Sequence, residues 1–146
     1  MTASQPPPFG RELGEAARAA SALHLALLDK AGITFNEWVV LHTFGTSEPV
    51  IRRDALETEL AGRLQADAES IRTLLDDMLL GDLIRDDPET SEVAMSEKGK
   101  ALYWPLRASV EGLTTDLLHD LDPAAVETTR QVLRDFTVRA VALSRS

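Results

Sequence analysis

The chain contains no cysteine, which excludes disulfides, thiolate zinc sites and cysteine redox sensing, and fits a cytoplasmic home. No apolar run approaches the roughly 20 residues that a membrane helix needs. The opening segment, Met1 to Pro8, has neither a basic n-region nor an apolar core of the secretory kind, so a soluble, unexported protein with no membrane association is expected. Histidines stand only at 24, 42 and 119, without the spacing of metal ligands. Nucleophile elbows, phosphate loops and paired catalytic motifs are missing too, so neither an enzyme nor a cofactor is expected. Positive charge is also scarce: 15 Lys and Arg face 24 Asp and Glu, a net charge of −9. The deficit is local. Between Asp67 and Glu92 nine acids oppose only Arg72 and Arg85, leaving −7 in that window.

What is present is a core. Apolar residues make up 44% of the 146, enough for one domain rather than general disorder. Residues 1–8 form a Pro-rich tail expected to be disordered, and 9–146 read as a single domain. From 11 to 31 the apolar residues 13, 16, 17, 20, 23, 27 and 28, with His24, mark a wide helical stripe that Gly32 ends. Thr34 and Glu37 have capping-box spacing, opening a second helix through Trp38, Leu41 and Phe44 to about Thr43 or Gly45. After a connector at 47–49, Leu56, Leu60 and Leu64 recur four apart and predict a helix over 53–64. A tight link at 65–67 leads to a helix over 67–80, with Asp67 as its N-cap and Ile71, Leu74, Leu75, Met78 and Leu79 inward. Gly81 ends it. A strand opens at 82–85, a polar tip spans 86–91, and a strand returns over 92–95.

Ser96 is placed to cap a long helix striped by Leu102, Leu106, Val110, Leu113, Leu117 and Leu121, and Pro105 predicts a kink or break near Tyr103–Trp104. Asp122-Pro123 starts a last helix in the favoured N-cap/N1 arrangement. The fold class is therefore mainly α with a small β-hairpin wing. A winged helix-turn-helix over 34–99 is flanked by amphipathic helices at 9–32 and 100–146. Those flanking stripes lie outside an already complete module and need something to cover them. A second copy related by two-fold symmetry is the expected cover, making the flanking helices a dimer interface.

Assembled in this order, the chain resembles the MarR family of winged-helix regulators over nearly its whole length. The segment Gly32-Ile33-Thr34-Phe35-Asn36-Glu37-Trp38 is similar to the opening of that family's second helix. Ser70 to Met78 followed by Gly81-Asp82-Leu83-Ile84-Arg85 is similar to its recognition helix and the strand after it. Val93 to Gly99 resembles the wing's return strand, and Leu121-Asp122-Pro123-Ala124-Ala125 the start of the final helix. The resemblance implies a homodimer held by its terminal helices, two lobes that bind double-stranded DNA, and often an aromatic acid or phenol bound between lobe and dimer. One departure stands out. The family's wing usually carries an arginine for the minor groove, whereas this tip, Asp86-Asp87-Pro88-Glu89-Thr90-Ser91-Glu92, has no basic residue.

Candidate DNA-binding residues follow. Ser70, Arg72 and Thr73 lie at the start and on the outer face of the recognition helix; their alternative is an ordinary solvated face. Arg52 and Arg53 precede the first helix of the motif and can meet phosphates or simply confer solubility. Arg85 can bind phosphate or anchor the wing by pairing with Asp82 or Asp87. His24, Trp38, His42, Trp104 and Arg107 come from three helices expected to converge, and would suit a small aromatic carboxylate effector. Their alternative is core packing with satisfied polar tips. Because phosphate neutralisation supplies most non-specific affinity, the acidic wing predicts weak or selective DNA binding. The other reading is a winged-helix dimer that has lost DNA contact and binds a ligand or a basic protein through that wing.

Overall fold

The computed structural model describes residues 8–146; the expected tail lies outside the described residues except for Pro8. Its elements are α1 (Phe9–Ala31), α2 (Phe35–Thr46), β1 (Val50–Arg52), α3 (Arg53–Leu64), α4 (Ala68–Leu80), β2 (Ile84–Asp87), β3 (Glu92–Met95), α5 (Glu97–Leu118) and α6 (Pro123–Ser144). Two compact units divide the chain, one ending at Val110 and the other covering 111–146. No helix of the described residues is long and apolar enough to cross a membrane.

In the first unit each boundary has a local cause. Gly32 takes φ 78°, and the amides of Gly32 and Ile33 return to the carbonyls of Asp29 and Leu28, a Schellman stop that ends α1. Thr34 then caps α2: the Glu37 amide donates to Thr34 Oγ1 at 3.1 Å and the Thr34 amide to Glu37 Oε1 at 2.9 Å. Asp67 Oδ1 accepts from the Ser70 amide at 2.7 Å and opens α4. Gly81 is the C-cap of α4, as expected. Gly81 keeps φ −79°, while Asp82 takes the left-handed turn at φ 59°. The amides of Asp82 and Leu83 close onto the carbonyls of Leu79 and Met78, so β2 starts at Ile84 rather than at 82.

The apolar residues meet in one cluster. Leu28, Leu41, Leu56, Leu60, Ile71, Leu75, Met78, Ile84, Val93 and Tyr103 are all essentially inaccessible, drawing on α1 to α5 and the sheet. The sheet has the order β1-β3-β2 and is antiparallel throughout, with Ile51 opposite Val93 and Ile84 opposite Met95. Residues 50–52, to which the sequence assigned no element, form a strand on the outer flank of β3. One expectation needs correction here: no break occurs near Tyr103–Trp104, and α5 runs unbroken through Pro105. The proline removes one intrahelical donor, a loss of about 3 kcal/mol with its ring clash. Tyr103 and Leu106 on either side are buried in the core and hold both turns in place. Helix α2 also continues to Thr46, slightly past its expected end.

In the second unit the end of α5 turns at Asp120 (φ 65°) into α6, where Asp122 Oδ1 accepts from the Ala124 amide with Pro123 in the first turn. No residue of α6 is buried. Leu118, Leu121, Val126 and Leu133 line a cavity of about 940 Å³ within this unit, and Phe136, Val138, Val141 and Leu143 are exposed.

Candidate nucleic-acid interface and aromatic cluster

Helices α3 and α4 are joined by a three-residue link in which Gln65 is left-handed at φ 49°. Ile71, Leu75 and Met78 turn α4 inward, so Glu69, Arg72, Thr73 and Asp76 form its outward face and all are exposed. Ser70 is exposed at the helix start, with its amide committed to Asp67. That amide, the Ser70 side chain and the nearby Arg72 charge together hold the Asp67 carboxyl below its usual pKa.

Five arginines lie between Thr34 and Gly99, and three of them are occupied. Arg52 Nε is 3.5 Å from Asp54. Arg53 donates from Nε to Glu57 at 3.0 Å and from Nη2 to Asp76 at 2.9 Å. Arg63 pairs with Glu59 at 3.1 Å and reaches Thr43 Oγ1. Partial burial works against the Arg53 charge, but its two carboxylate hydrogen bonds more than offset this and raise its pKa. Among the described residues no carboxylate lies within ion-pair distance of Arg72 or Arg85. The expected pairing of Arg85 with Asp82 or Asp87 does not occur, because strand geometry sets Arg85 opposite Ala94 with its side chain exposed. Lys98 Nζ donates to the Gly81 carbonyl at 2.9 Å and so caps the end of α4.

The wing tip is held by its own polar atoms. The Ser91 amide donates to the Asp87 carbonyl at 2.8 Å and the Glu89 amide to Asp87 Oδ1 at 2.9 Å. Asp86, Asp87, Glu89 and Glu92 are all exposed, so the tip presents an acidic edge.

His24, Trp38, His42, Trp104 and Arg107 do come together. The hub is Tyr103, a residue that sequence reading used only to mark the expected helix break. Trp38 stacks on His42 at 5.2 Å between centroids and meets His24 edge-on at 5.6 Å. Tyr103 lies 5.3 Å from Trp38 and 5.0 Å from Trp104, and Arg107 sits 5.5 Å over Trp104. Arg107 also donates to the Gly45 carbonyl at 3.1 Å. A recess of about 300 Å³ lies beside the cluster, lined by Ser21, His24, Leu25 and Phe35. His24 Nε2 is buried with no hydrogen-bond partner among the described residues.

No protein-family model matches the chain, and no curated protein matches it by sequence. Solved structures do match in fold. A MarR family protein from Bacillus stearothermophilus superposes with a TM-score of 0.74 at 16% identity, over 90% of this chain and 92% of that one. Staphylococcus aureus MarR, in complex with salicylate and kanamycin, gives 0.74 at 18% identity over 94% and 92%. A Mycobacterium tuberculosis MarR family protein in complex with DNA gives 0.69 at 18% identity over 90% and 98%. The chain thus has the winged-helix fold of the MarR regulators.

Proposed function

We propose that this protein is a DNA-binding transcriptional regulator of the MarR type that acts as a homodimer. The observation that carries this reading is the outward face of α4, where Arg72 and Thr73 are exposed and Arg72 has no ion-pair partner among the described residues. A guanidinium left free on a recognition helix can make the bidentate contact that reads guanine. Ser70 and Thr73 add hydroxyls to the same end of the helix, and the unpaired Arg85 and exposed Arg52 supply phosphate contacts from the flanks. The uncovered apolar face of α6 supports a second copy as the partner, since a helix with no buried residue in its own chain needs an outside surface. Such a dimer sets two recognition helices on half-sites about one turn (~34 Å) apart.

The aromatic cluster supports a small effector as well. An aromatic acid or phenol in the recess would lie against His24 and Phe35, which pack edge-on at 6.3 Å between centroids. A cytoplasmic site of action follows from the regulatory reading. Titration of the protein with a duplex from its own promoter and with a random duplex, at several salt concentrations, tests the proposal. Salt-sensitive binding that favours the promoter is expected; no binding to either duplex at low salt overturns it.

The acidic wing favours a second reading. With Asp86, Asp87, Glu89 and Glu92 exposed, the same dimer would dock a basic protein in place of DNA. Recovery of a basic partner that wing-charge reversal abolishes, together with flat DNA titrations, selects it.

A further inference from the structure

Arg53 stands where α3, α4 and the wing turn meet. It is the first residue of α3, and its amide donates to the Ser91 carbonyl of the wing turn at 2.8 Å. Its side chain lines a cleft of about 340 Å³ between the start of α3 and the wing, shared with Arg52, Asp86, Asp87 and Pro88. Its guanidinium reaches Asp76, which lies on the same outward face of α4 as Arg72 and Thr73. We infer that Asp76 is an internal stand-in for a DNA phosphate, holding Arg53 beside the reading face until backbone phosphate replaces it. This rests on the DNA-binding reading and adds a residue that sets its affinity.

The two carboxylates that hold Arg53 are not equivalent. Glu57 is one turn along α3 and its side chain is only 25% exposed, so that pair is sheltered. Asp76 belongs to the neighbouring helix and its side chain is 63% exposed, so that pair is screened by solvent and weakly held. Each carboxylate takes a single guanidinium nitrogen, Nε for Glu57 and Nη2 for Asp76. Glu57 can therefore keep its nitrogen while Nη2 changes partner. A phosphate oxygen offers Nη2 the same charge-assisted bond that Asp76 does. The cost is the exchange itself: Asp76 must be given up, and its charge then faces the phosphate that displaced it. Arg53 thus contributes less to DNA affinity and to salt dependence than a free arginine would.

The test is a double-mutant cycle on promoter and random duplexes across a salt series, with wild type, Asp76→Asn, Arg53→Gln and the double variant. Asp76→Asn is expected to tighten promoter binding about fivefold or more. It should also steepen the salt slope by up to about 0.9, because the cation released from the phosphate is no longer offset by one drawn to the freed Asp76 carboxylate. Both gains should vanish in the Arg53→Gln background. Equal tightening with and without Arg53 would mean that deleting a negative charge is the whole effect, and overturns the exchange. So does no tightening. Both of those results leave promoter binding by the wild type intact, whereas a wild type that binds neither duplex removes the DNA-binding reading along with this one. Should Arg53→Gln melt below the assay temperature, the Arg53 guanidinium NMR resonances of the wild type serve instead. DNA is expected to shift them, and unchanged resonances in the complex overturn the proposal.

Discussion

His42 Nδ1 and the Tyr103 hydroxyl share a hydrogen bond of 2.8 Å, tying α2 to α5 across 61 positions of sequence. Tyr103 is wholly inaccessible, and its ring also packs on Trp38 and Trp104. Removing the hydroxyl deletes this bond between α2 and α5, whereas removing the ring opens a cavity. Tyr103→Phe should therefore cost about 1 kcal/mol and Tyr103→Ala about 3–5 kcal/mol in urea unfolding at neutral pH.

Two glycines are sites of close approach. A Cβ at Gly45 would collide with the hydroxyl and ring of Tyr103, and one at Gly99 with the Leu83 carbonyl. Gly99 also takes the Ser96 cap, its amide donating to Ser96 Oγ at 2.9 Å, while Ser96 Oγ donates to the Asp82 carbonyl. Gly45→Ala and Gly99→Ala should each destabilise by about 1–3 kcal/mol. The control is Gly62 in α3, where an added Cβ meets nothing. Gly62→Ala should stabilise by about 0.5–1 kcal/mol in the same unfolding series.

Arg72 is the base-reading candidate, so its loss should be sequence-dependent. Arg72→Ala is expected to weaken promoter binding by about 1–3 kcal/mol while changing random-duplex binding far less. Loss of equal size on both duplexes, in a fluorescence titration, would make Arg72 a phosphate contact instead.

The Asp67 cap predicts a pH dependence with a definite sign. Its carboxyl is held below the usual value in the folded chain, chiefly by the Ser70 amide. Its contribution is then fully present above the unfolded carboxylate pKa and lost as pH falls through the lower, folded one. Asp67→Asn retains a capping oxygen without the titration. The stability gap between wild type and Asp67→Asn should be constant above roughly pH 5 and shrink toward pH 3, as measured by thermal melts.

The apolar face of α6 predicts concentration-dependent assembly. Leu133→Asp, placed among Leu118, Leu121 and Val126 in the second unit, should convert a dimer to monomer in sedimentation equilibrium. DNA affinity should fall with it, because the two half-sites are then bound independently.

The elements with a local cause were legible in the sequence. The leucine spacing of α3, the Thr34 and Asp67 caps, and the return strand at 92–95 follow from residues close in the chain and lie where expected. What was not legible depends on contacts distant in sequence. Strand β1 is only Val50–Arg52 and exists because β3 offers it a flank. Helix α5 survives Pro105 because Tyr103 and Leu106 are buried on either side. The fit of Tyr103 onto Gly45 joins residues no local pattern connects. At the candidate interface, periodicity placed Arg72 and Thr73 on the outer face, but the capture of Arg53 by Asp76 required the fold.

Strand β3 is hydrogen-bonded on both flanks, to β1 and to β2. Its register is consequently fixed by Ile51, Ile84 and their partners, all away from the tip. The four-residue bend beyond Asp87 carries a single acid, Glu89, and is tied to α3 through the Ser91 carbonyl; Asp86, Asp87 and Glu92 belong to the paired strands. The acidic edge can therefore be recharged one exposed side chain at a time, at Asp86, Glu89 and Glu92, while the backbone scaffold beneath stays in register.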